Sequence, residues 1–422
     1  MQAIGVVTGA LCSLVLMVAA MRLPELAVVA RDAALVIGLR FAGALARYGL
    51  IVGYYRGHGD ALRYHEEAGY LRDSALQWDW SGWLDTQWSG THAIELANAV
   101  VGLPALGSVI GEFFIFAALG FVGLCLCVAA LRRSVPQLPG RPLALVILCW
   151  PSLVFWPSSI GKEAVILLAI GGMALAVAPP RRSWAAILSS LLLAFAIRPH
   201  VAGLLAVSLF AFDTISTQRK TSVTVTRLAV SLAVSLAFVW QGATALGVDP
   251  TEIDTIAEEL QYRSSNTDRG GSSMGTKVVG IAAIPLGILN VLFRPLPFEA
   301  NGPTMLIAAV ENLVFWGAIW RFRRGVRQVV KNWRRISFLR FGVFFGTLWA
   351  ALIGVTFVNM GILARQRTLM MPFLVGLLAI AVSLAARDKL RSRLTKVSRF
   401  KTTRSRSRNL DGLFHGAVQR QG

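Results

Sequence analysis

Long apolar runs separated by short polar segments dominate the chain. A bilayer core is about 30 Å thick, so a helix that crosses it needs roughly 20 mostly apolar residues. Such runs predict about eleven spans, at 3–22, 34–53, 112–131, 142–157, 161–178, 184–197, 200–215, 228–247, 304–320, 339–360 and 367–385. The predicted fold is an all-α, polytopic integral membrane protein. No basic residue precedes the first run, which is therefore interpreted as a signal anchor.

Two further apolar segments are interrupted by helix-breaking residues. Pro104 and Gly107 interrupt 94–110, and Pro285 and Gly287 lie within 278–293. Counting the second segment as a span would also place the basic residues that follow it on the wrong side of the membrane. Both segments are predicted to be re-entrant or interfacial hairpins on the outer face.

The basic residues flank the apolar runs on one predicted side. The chain has 422 residues, is 55% hydrophobic and 15% charged, and carries a formal net charge of +20. Its basic groups are Arg132-Arg133, Arg181-Arg182, Arg219-Lys220, those between Arg321 and Arg340, and those from Arg387 onward. This asymmetry is typical of cytoplasmic loops, so it predicts a cytoplasmic carboxyl end and an outside amino end. It favours membrane lipids rather than nucleic acid as the partner of these residues.

The same reasoning divides the chain into two parts. Residues 1–385 form the predicted membrane domain, with outer-face loops at 54–111 and 248–303, and residues 386–422 form a basic, disordered tail. All four cysteines lie in apolar runs, where a thiol behaves as a small hydrophobic group. The sequence therefore predicts no disulfide, no metal site and no cofactor.

The first outer loop contains the candidate catalytic residue. Asp60 follows a span closely, so its carboxylate could reach a lipid-borne substrate and act as a base for an acceptor hydroxyl. Alternatively, Asp60 caps a helix that starts at Ala61. Trp78 in this loop and Trp156 beyond it could pack against sugar rings, although an interfacial role is favoured for such tryptophans.

Two adjacent charges begin an apolar run at Lys162 and Glu163. A charged residue at the bilayer centre costs about 2.5 to 3.5 kcal/mol on insertion scales, so both should lie at a helix end beside a wet cavity. Neighbouring helical side chains point about 100° apart, so each needs a partner of its own. A phosphate suits Lys162; the alternatives are a snorkelling lysine and an interhelical bond to the glutamate.

More cations occur near the ends of spans on the same predicted face. They and a nearby histidine are Arg198, His200, Arg269, Arg294, Arg365 and Arg367. Outer-face arginines oppose the usual charge asymmetry and indicate an anionic ligand. A lipid pyrophosphate would satisfy them without a metal, so these residues are predicted to bind substrate.

Short motifs follow one another from about residue 54 to 385. They are Pro151-Ser152, Trp156, Ser158, Lys162-Glu163, Arg198-Pro199-His200, Gly270-Gly271-Ser272, Phe293-Arg294-Pro295, Pro297-Phe298-Glu299 and Arg365-Gln366-Arg367. Together they resemble multi-span proteins of bacterial exopolysaccharide and O-antigen gene clusters, which are grouped with GT-C-type glycosyltransferases and polysaccharide polymerases. The resemblance implies a polyprenyl-phosphate-linked sugar donor, bound in an outer-face cavity of a bacterial inner-membrane protein.

The resemblance also implies roles for particular residues. In GT-C enzymes the catalytic acid lies in the first large outer loop, and Asp60 in GDALRY is the matching position. Here that loop follows the second span, and Asp60 has no adjacent acidic partner. Lys162, Arg198, Arg294, Arg365 and Arg367 would then hold the donor phosphate.

The resemblance leaves three functions to consider. The first is a membrane glycosyltransferase, and the second is an O-antigen or exopolysaccharide polymerase, in which Arg198, Arg365 and Arg367 would matter most. Both could work with other polysaccharide-assembly proteins. A transporter or flippase is the third. It should show internal repeats and charges in the middle of spans, and the sequence analysis finds neither.

Overall fold

The computed structural model describes residues 2–84, 90–180, 182–215, 221–244, 284–357 and 359–389. All regular elements within these ranges are helices, so the predicted all-α class is confirmed. Arg269, Trp88, the motif at 270–272 and the tail from residue 390 lie outside the described residues.

The first third of the chain forms six helices. They are α1 (Gln2–Met21), α2 (Ala33–Gly49), α3 (Asp60–Leu76), α4 (Ser81–Leu84), α5 (Thr91–Val101) and α6 (Val109–Ser134). A 3₁₀ segment at Pro24–Asp32 leads into α2, and a π-helical turn at Leu50–Tyr54 extends it. These pieces make one long helical stretch that ends at the first large loop.

The rest of the described chain forms twelve more helices. In the middle are α7 (Gly140–Leu148), α8 (Pro151–Phe155), α9 (Lys162–Ala176), α10 (Trp184–Ile197), α11 (Pro199–Thr214) and α12 (Thr221–Thr244). They are followed by α13 (Ile284–Phe293), α14 (Pro303–Arg321), α15 (Arg323–Asn332), α16 (Ser337–Thr356), α17 (Met360–Arg367) and α18 (Met371–Lys389).

Seven helical stretches of the described chain are long and apolar enough to cross a membrane. They are Gln2–Met21, Pro24–Tyr54, Val109–Ser134, Val225–Gly242, Pro303–Arg321, Ser337–Thr356 and Met371–Lys389. Each overlaps a predicted span, but the predicted count of about eleven is not confirmed. The other four predicted spans form the shorter helices α7 to α11. The run 142–157 is divided because Pro151 starts a new helix.

Helix α6 lies at the centre of the bundle, and 83% of its apolar 18-residue stretch is buried. Helices α1, α2 and α9 pack against it. At the α6–α9 contact, a Cβ added to Gly171 would lie 2.1 Å from the carbonyl oxygen of Gly123. Glycine is therefore required for this close approach, as at many interfaces between membrane helices. The contact fixes α9, whose first turn carries Lys162 and Glu163.

Basic residues gather at one end of the bundle, here named the basic end. Arg133 at the end of α6 pairs with Glu25 at 2.6 Å, and the Ser134 and Ser337 hydroxyls are 2.7 Å apart. The start of the 3₁₀ segment that leads into α2, and the start of α16, therefore lie beside the end of α6. Helix α14 runs into the basic segment that begins at Arg321. Its 19 residues make it about 28 Å long, so its first residue lies near the opposite end.

The start of α1 and the end of α18 also lie at opposite ends of the bundle. Near the amino side, Gly5 of α1 packs against Gly111 in the first turn of α6. Near the carboxyl side, the Ser383 hydroxyl donates to the Pro139 carbonyl at 3.2 Å, beside the basic end. Which end faces the cytoplasm stays a prediction.

The segment before α14 has the shape of a hairpin. Gly287 of α13 packs against Gly354, near the last turn of α16. The Trp316 indole, well along α14, donates to the Leu292 carbonyl at 3.2 Å, and the chain then returns to Pro303. The re-entrant interpretation of 278–293 stays a prediction, as does that of 94–110, which forms α5 and a 3₁₀ turn before α6.

Candidate functional site

The buried carboxylate of Glu163 organises the candidate site. Glu163 lies in the first turn of α9 and is only 2% exposed. One carboxylate oxygen accepts a hydrogen bond from Arg198 Nη2 and the other accepts one from Arg365 Nη2, both at 2.8 Å. Two guanidinium groups and the amino end of a helix thus surround the negative charge. These three residues are named the Glu163 cluster.

The Glu163 cluster continues into the packing of α11, α16 and α17. Arg198, between α10 and α11, donates its Nη1 to the Gln366 side-chain oxygen at 2.6 Å. The Trp349 indole donates to the Gln366 carbonyl at 2.9 Å, and the His200 ring stacks on Trp349 with centroids 6.2 Å apart. His200 therefore contacts the site indirectly, through Trp349.

On its other side the cluster reaches the candidate catalytic residue. Arg365 Nη1 lies 3.6 Å from an Asp60 carboxylate oxygen, whose side chain is 53% exposed. Asp60 is the first residue of α3, and the preceding Gly59 is the cap residue, with no side-chain capping bond. The alternative role predicted for Asp60, capping a helix from Ala61, is therefore wrong.

Asp60 and Arg365 line an open cavity of about 370 Å³. The polar part of its wall includes Arg47, Tyr54, His58, Asp60, Thr304 and Arg365. The cavity lies between the end of the Pro24–Tyr54 stretch and the start of α14, so it opens at the end opposite the basic end. Its volume falls within the range of about 300–1,000 Å³ that is usual for ligand sites.

Lys162 lies next to the cluster but does not line this cavity. Its Nζ donates to the Thr91 hydroxyl at 3.0 Å, while Glu163 has the arginine partners described above. Each of the two adjacent charges therefore has its own partner, as the sequence predicts. Burial, together with the nearby Arg198 guanidinium, lowers the pKa of Lys162 to about 8.

Tyr64 lies one turn after Asp60 in α3 and is 3% exposed. Burial, reinforced by the nearby Asp60 carboxylate, raises the pKa of the Tyr64 phenol to about 12. The phenol is thus neutral near pH 7. Tyr64 adds no charge to the site.

The remaining predicted substrate-binding residues are distributed as follows. Trp156 lines the cavity. Arg294 lies outside its wall and pairs with Glu299 at 2.6 Å. Arg367 is buried and donates to the Asn312 side-chain oxygen. Trp78 is 84% exposed, also outside the cavity wall. The structure thus brings the Glu163 cluster, Asp60, Lys162 and Trp156 together in one region. Arg294, Arg367 and Trp78 lie outside it.

Arg47, which was not among the predicted site residues, lies in the last turn of α2 and is 6% exposed. Its guanidinium carbon lies 5.2 Å from the Phe155 ring centroid and 4.8 Å from that of Trp156. Arg40, seven positions earlier on the same helix face, donates to the Leu153 carbonyl. This spacing is visible in the sequence and could have indicated a functional face.

Another charge, Glu311, lies within the Pro303–Arg321 span and accepts a bond from the Ser152 hydroxyl at 2.7 Å. Arg40 and Arg47 likewise lie inside a candidate span. The sequence-based statement that the middle of the spans carries no charge is therefore wrong. The reason is that single charges in long apolar runs hardly change the mean hydropathy of a run.

A second buried carboxylate was also missed. Glu112, in the first turn of α6, is fully buried and accepts bonds from His65 Nδ1 at 2.8 Å, Arg72 Nη1 at 2.7 Å and Asn98 Nδ2 at 2.8 Å. These four residues are named the Glu112 cluster. They join α3 and α5 to α6, and none of them lines the cavity.

Comparisons of the chain with protein-family models, curated proteins and solved structures gave no match.

Proposed function

We propose that this protein is a membrane glycosyltransferase of bacterial surface polysaccharide assembly, using a polyprenyl-phosphate-linked sugar donor. One observation carries the proposal: an exposed carboxylate, Asp60, lies 3.6 Å from Arg365 in an open cavity of about 370 Å³. The cavity is at the end of the bundle opposite the basic end. Because basic segments favour the cytoplasmic side, the cavity is expected to face outward from the inner membrane.

The chemistry requires one base and positive charge near the leaving group. The acceptor hydroxyl oxygen forms a bond to the anomeric carbon of the donor, and the bond from that carbon to the phosphate oxygen breaks. The leaving phosphate keeps the electron pair, and Asp60 accepts the hydroxyl proton. Arg365 lies beside Asp60, where it can stabilise the phosphate as its negative charge develops.

Two other functions remain candidates, each with an observation in its favour. A polymerase that joins lipid-linked repeat units would use the same base, and the convergence of Arg198 and Arg365 on Glu163 favours it. A transporter or flippase is favoured by the charges inside candidate spans, namely Arg40, Arg47 and Glu311.

Mass spectrometry of polyprenyl-linked glycans, extracted from cells that lack the protein, separates these functions. A truncated unit that lacks one sugar is the result expected for a glycosyltransferase. Accumulation of complete single units would instead identify a polymerase. An unchanged pool of lipid-linked glycans would reject both enzymes and favour a transporter. Re-expression of the wild-type chain should reverse any change.

A further inference from the structure

Arg47 differs from the other buried arginines of the described chain. The buried arginines are Arg40, Arg47, Arg340 and Arg367. Arg40 donates to the Leu153 and Leu148 carbonyls, Arg340 to the Arg334 carbonyl and Arg367 to the Asn312 side chain. Arg47 has no hydrogen-bond acceptor and no ion-pair partner among the residues that the structure describes. Its guanidinium group instead packs against the Phe155 and Trp156 rings.

A buried cation without an anion is energetically unfavourable. Stacking on Phe155 and Trp156 offsets part of the cost through cation–π attraction. The buried Nε of Arg47 has no hydrogen-bond acceptor, so part of the cost of burial is not offset. The two rings also hold the guanidinium plane in a fixed direction. Arg47 is therefore ready to bind an acceptor from the cavity at little cost in side-chain entropy.

The charge of the cavity wall indicates which kind of acceptor fits. Arg47 and Arg365 are cationic, and Asp60 is the one carboxylate among the wall residues. Glu163 is buried behind Arg365 and neutralises part of the charge of Arg198 and Arg365. Arg47 makes no ion pair with either carboxylate. Three guanidinium groups, those of Arg47, Arg198 and Arg365, therefore face only two carboxylates, those of Glu163 and Asp60, and this part of the cavity carries excess positive charge. An anionic ligand is favoured there over a neutral or cationic one.

Neutral donors complete this part of the cavity. The Tyr55 and Thr304 hydroxyls are 3.3 Å apart and connect the end of the α2 stretch to the start of α14. Tyr54 also lines the wall. Hydroxyl groups and a planar guanidinium group together match the several oxygens of a phosphoryl group better than the two oxygens of a carboxylate.

We propose that Arg47 is the principal anion-binding residue of the cavity and binds the phosphoryl group of the ligand through its guanidinium group, which Phe155 and Trp156 support. This inference rests on the proposed function, since it names the residue that recognises the phosphate of the same donor. It replaces Arg294 and Arg367 in that role, because both lie outside the cavity wall and have partners elsewhere. The ligand is a phosphate ester or diphosphate, either attached to a lipid or free.

Binding of two probes to the purified full-length protein in detergent tests the proposal. Farnesyl diphosphate carries a prenyl chain, whereas inorganic pyrophosphate carries the same anion alone. Isothermal titration of wild-type protein should show binding of at least one probe. In Arg47→Gln the affinity for that probe should fall at least about tenfold, since a charge-assisted bond is lost.

A matched control comes from another arginine that stacks on an aromatic ring. Arg63 is exposed, lies over the Tyr64 ring at 5.4 Å and does not line the cavity. The affinity of Arg63→Gln should remain within about twofold of wild type, because exposed charges are screened by solvent. Arg47→Gln that unfolds like wild type but binds as tightly would overturn the proposal, as would wild-type protein that binds neither probe.

A second variant tests the sign of the ligand charge without changing a buried residue. Asp60→Asn removes the carboxylate from the cavity wall at an exposed position, so the fold should be retained. Affinity for the anionic probe should stay the same or increase by a few fold. Loss of anionic-probe binding in Asp60→Asn would show that positive charge in the cavity wall does not govern binding, and it would reject the proposal even if Arg47→Gln does not fold.

The two probes also distinguish the possible sources of the ligand. Binding of farnesyl diphosphate alone supports a lipid-linked ligand, and equal binding of pyrophosphate supports a free one; either supports phosphoryl recognition by Arg47. This result can be separated from the proposed function. Arg47-dependent binding together with unchanged lipid-linked glycans in cells lacking the protein would reject only glycosyl transfer. A truncated glycan in those cells together with undiminished binding by Arg47→Gln would reject only the role of Arg47.

Discussion

The Glu112 and Glu163 clusters are built from the same parts but differ in what lies beyond them. Each has a buried glutamate in the first turn of a helix, α6 or α9, and each glutamate accepts bonds from an arginine on another element. The Glu112 carboxylate also accepts bonds from His65 and Asn98, and it fastens α3 and α5 to the central helix. The Glu163 cluster continues through Arg365 to exposed Asp60 and the cavity.

This difference shows that a buried ion pair does not by itself identify a functional site. A helix that begins with a buried carboxylate needs donors wherever it occurs, and both clusters meet that need. Only the Glu163 cluster has an arginine that also reaches a solvent-accessible carboxylate in a cavity of ligand size. We therefore propose a role in stability for the Glu112 cluster, and roles in both stability and function for the Glu163 cluster.

The largest effect is expected at Asp60, the exposed carboxylate beside Arg365 of the Glu163 cluster. Asp60→Asn should lower polysaccharide output about 10²- to 10⁴-fold, because the general base is lost. Glu67→Gln, an exposed position on the same helix, is the matched control and should keep full output. Polysaccharide would be measured in cells that lack the protein and express each variant at equal levels. Full output from Asp60→Asn would remove Asp60 from the catalytic role.

Glu163→Gln and Glu112→Gln compare the two clusters directly. Each leaves buried arginine donors without their carboxylate, so each should lower the free energy of unfolding by about 3–5 kcal/mol. Unfolding in detergent would be followed by circular dichroism. At a temperature where both variants are folded, Glu163→Gln should lose polysaccharide output and Glu112→Gln should keep it. Equal loss of output in the two variants would mean that the two clusters do not differ in function.

Changes in the arginine partners should give a smaller effect. Arg365→Gln and Arg72→Gln each remove one donor from a buried glutamate, and each should destabilise the fold by about 1–3 kcal/mol. Only Arg365→Gln should also weaken the binding of farnesyl diphosphate, by several fold. Calorimetric titration of both purified variants checks this. If Arg365→Gln binds like Arg72→Gln, Arg365 has only a structural role.

The smallest effect is a pH dependence that arises from Lys162. Its pKa is lowered to about 8, so its positive charge is present below that pH and lost above it. Binding of an anionic probe should therefore weaken about two- to threefold between pH 7 and 9, since the charge is near the cavity but outside its wall. Lys162→Gln should abolish the dependence in titrations across this range.

The same shift has the opposite consequence for stability. From pH 8 to about 10, the unfolded chain binds more protons at Lys162 than the folded protein, so folding should become more favourable as pH rises. A fall in stability over this range that disappears in Lys162→Gln would show that the lysine is not buried as described.

The sequence predicts the helices better than it predicts their contacts. Hydropathy located all seven candidate spans, because a run of about 20 apolar residues has few other solutions. The four spans predicted at residues 142–215 are not confirmed, because the helices there are shorter than the seven candidate spans. In this region the apolar composition indicates only that the residues are buried. Pro151 and the short lengths of α7 to α11 show how the chain is divided into helices.

The candidate site was predictable in composition but not in connectivity. A charged pair at Lys162-Glu163 indicated that partners were needed, and hydropathy placed Asp60 beside a span end. The partners of Glu163 are 35 and 202 positions away, at Arg198 and Arg365, and only the packing of α9, α11 and α17 brings them together. Arg47 was missed although its seven-residue spacing from Arg40 marked a polar face within α2.

Photo-crosslinking of a lipid probe tests the central claim most directly, since it maps where a prenyl phosphate binds. The full-length protein in detergent would be irradiated with a farnesyl diphosphate analogue that carries a diazirine, and the labelled peptides identified by mass spectrometry. We predict labelling of cavity-wall segments, around residues 47–61, 301–305 and 359–365, with competition by unmodified farnesyl diphosphate. Competed labelling confined to the basic end, between Arg321 and Arg340, would contradict the assignment of this cavity as the functional site.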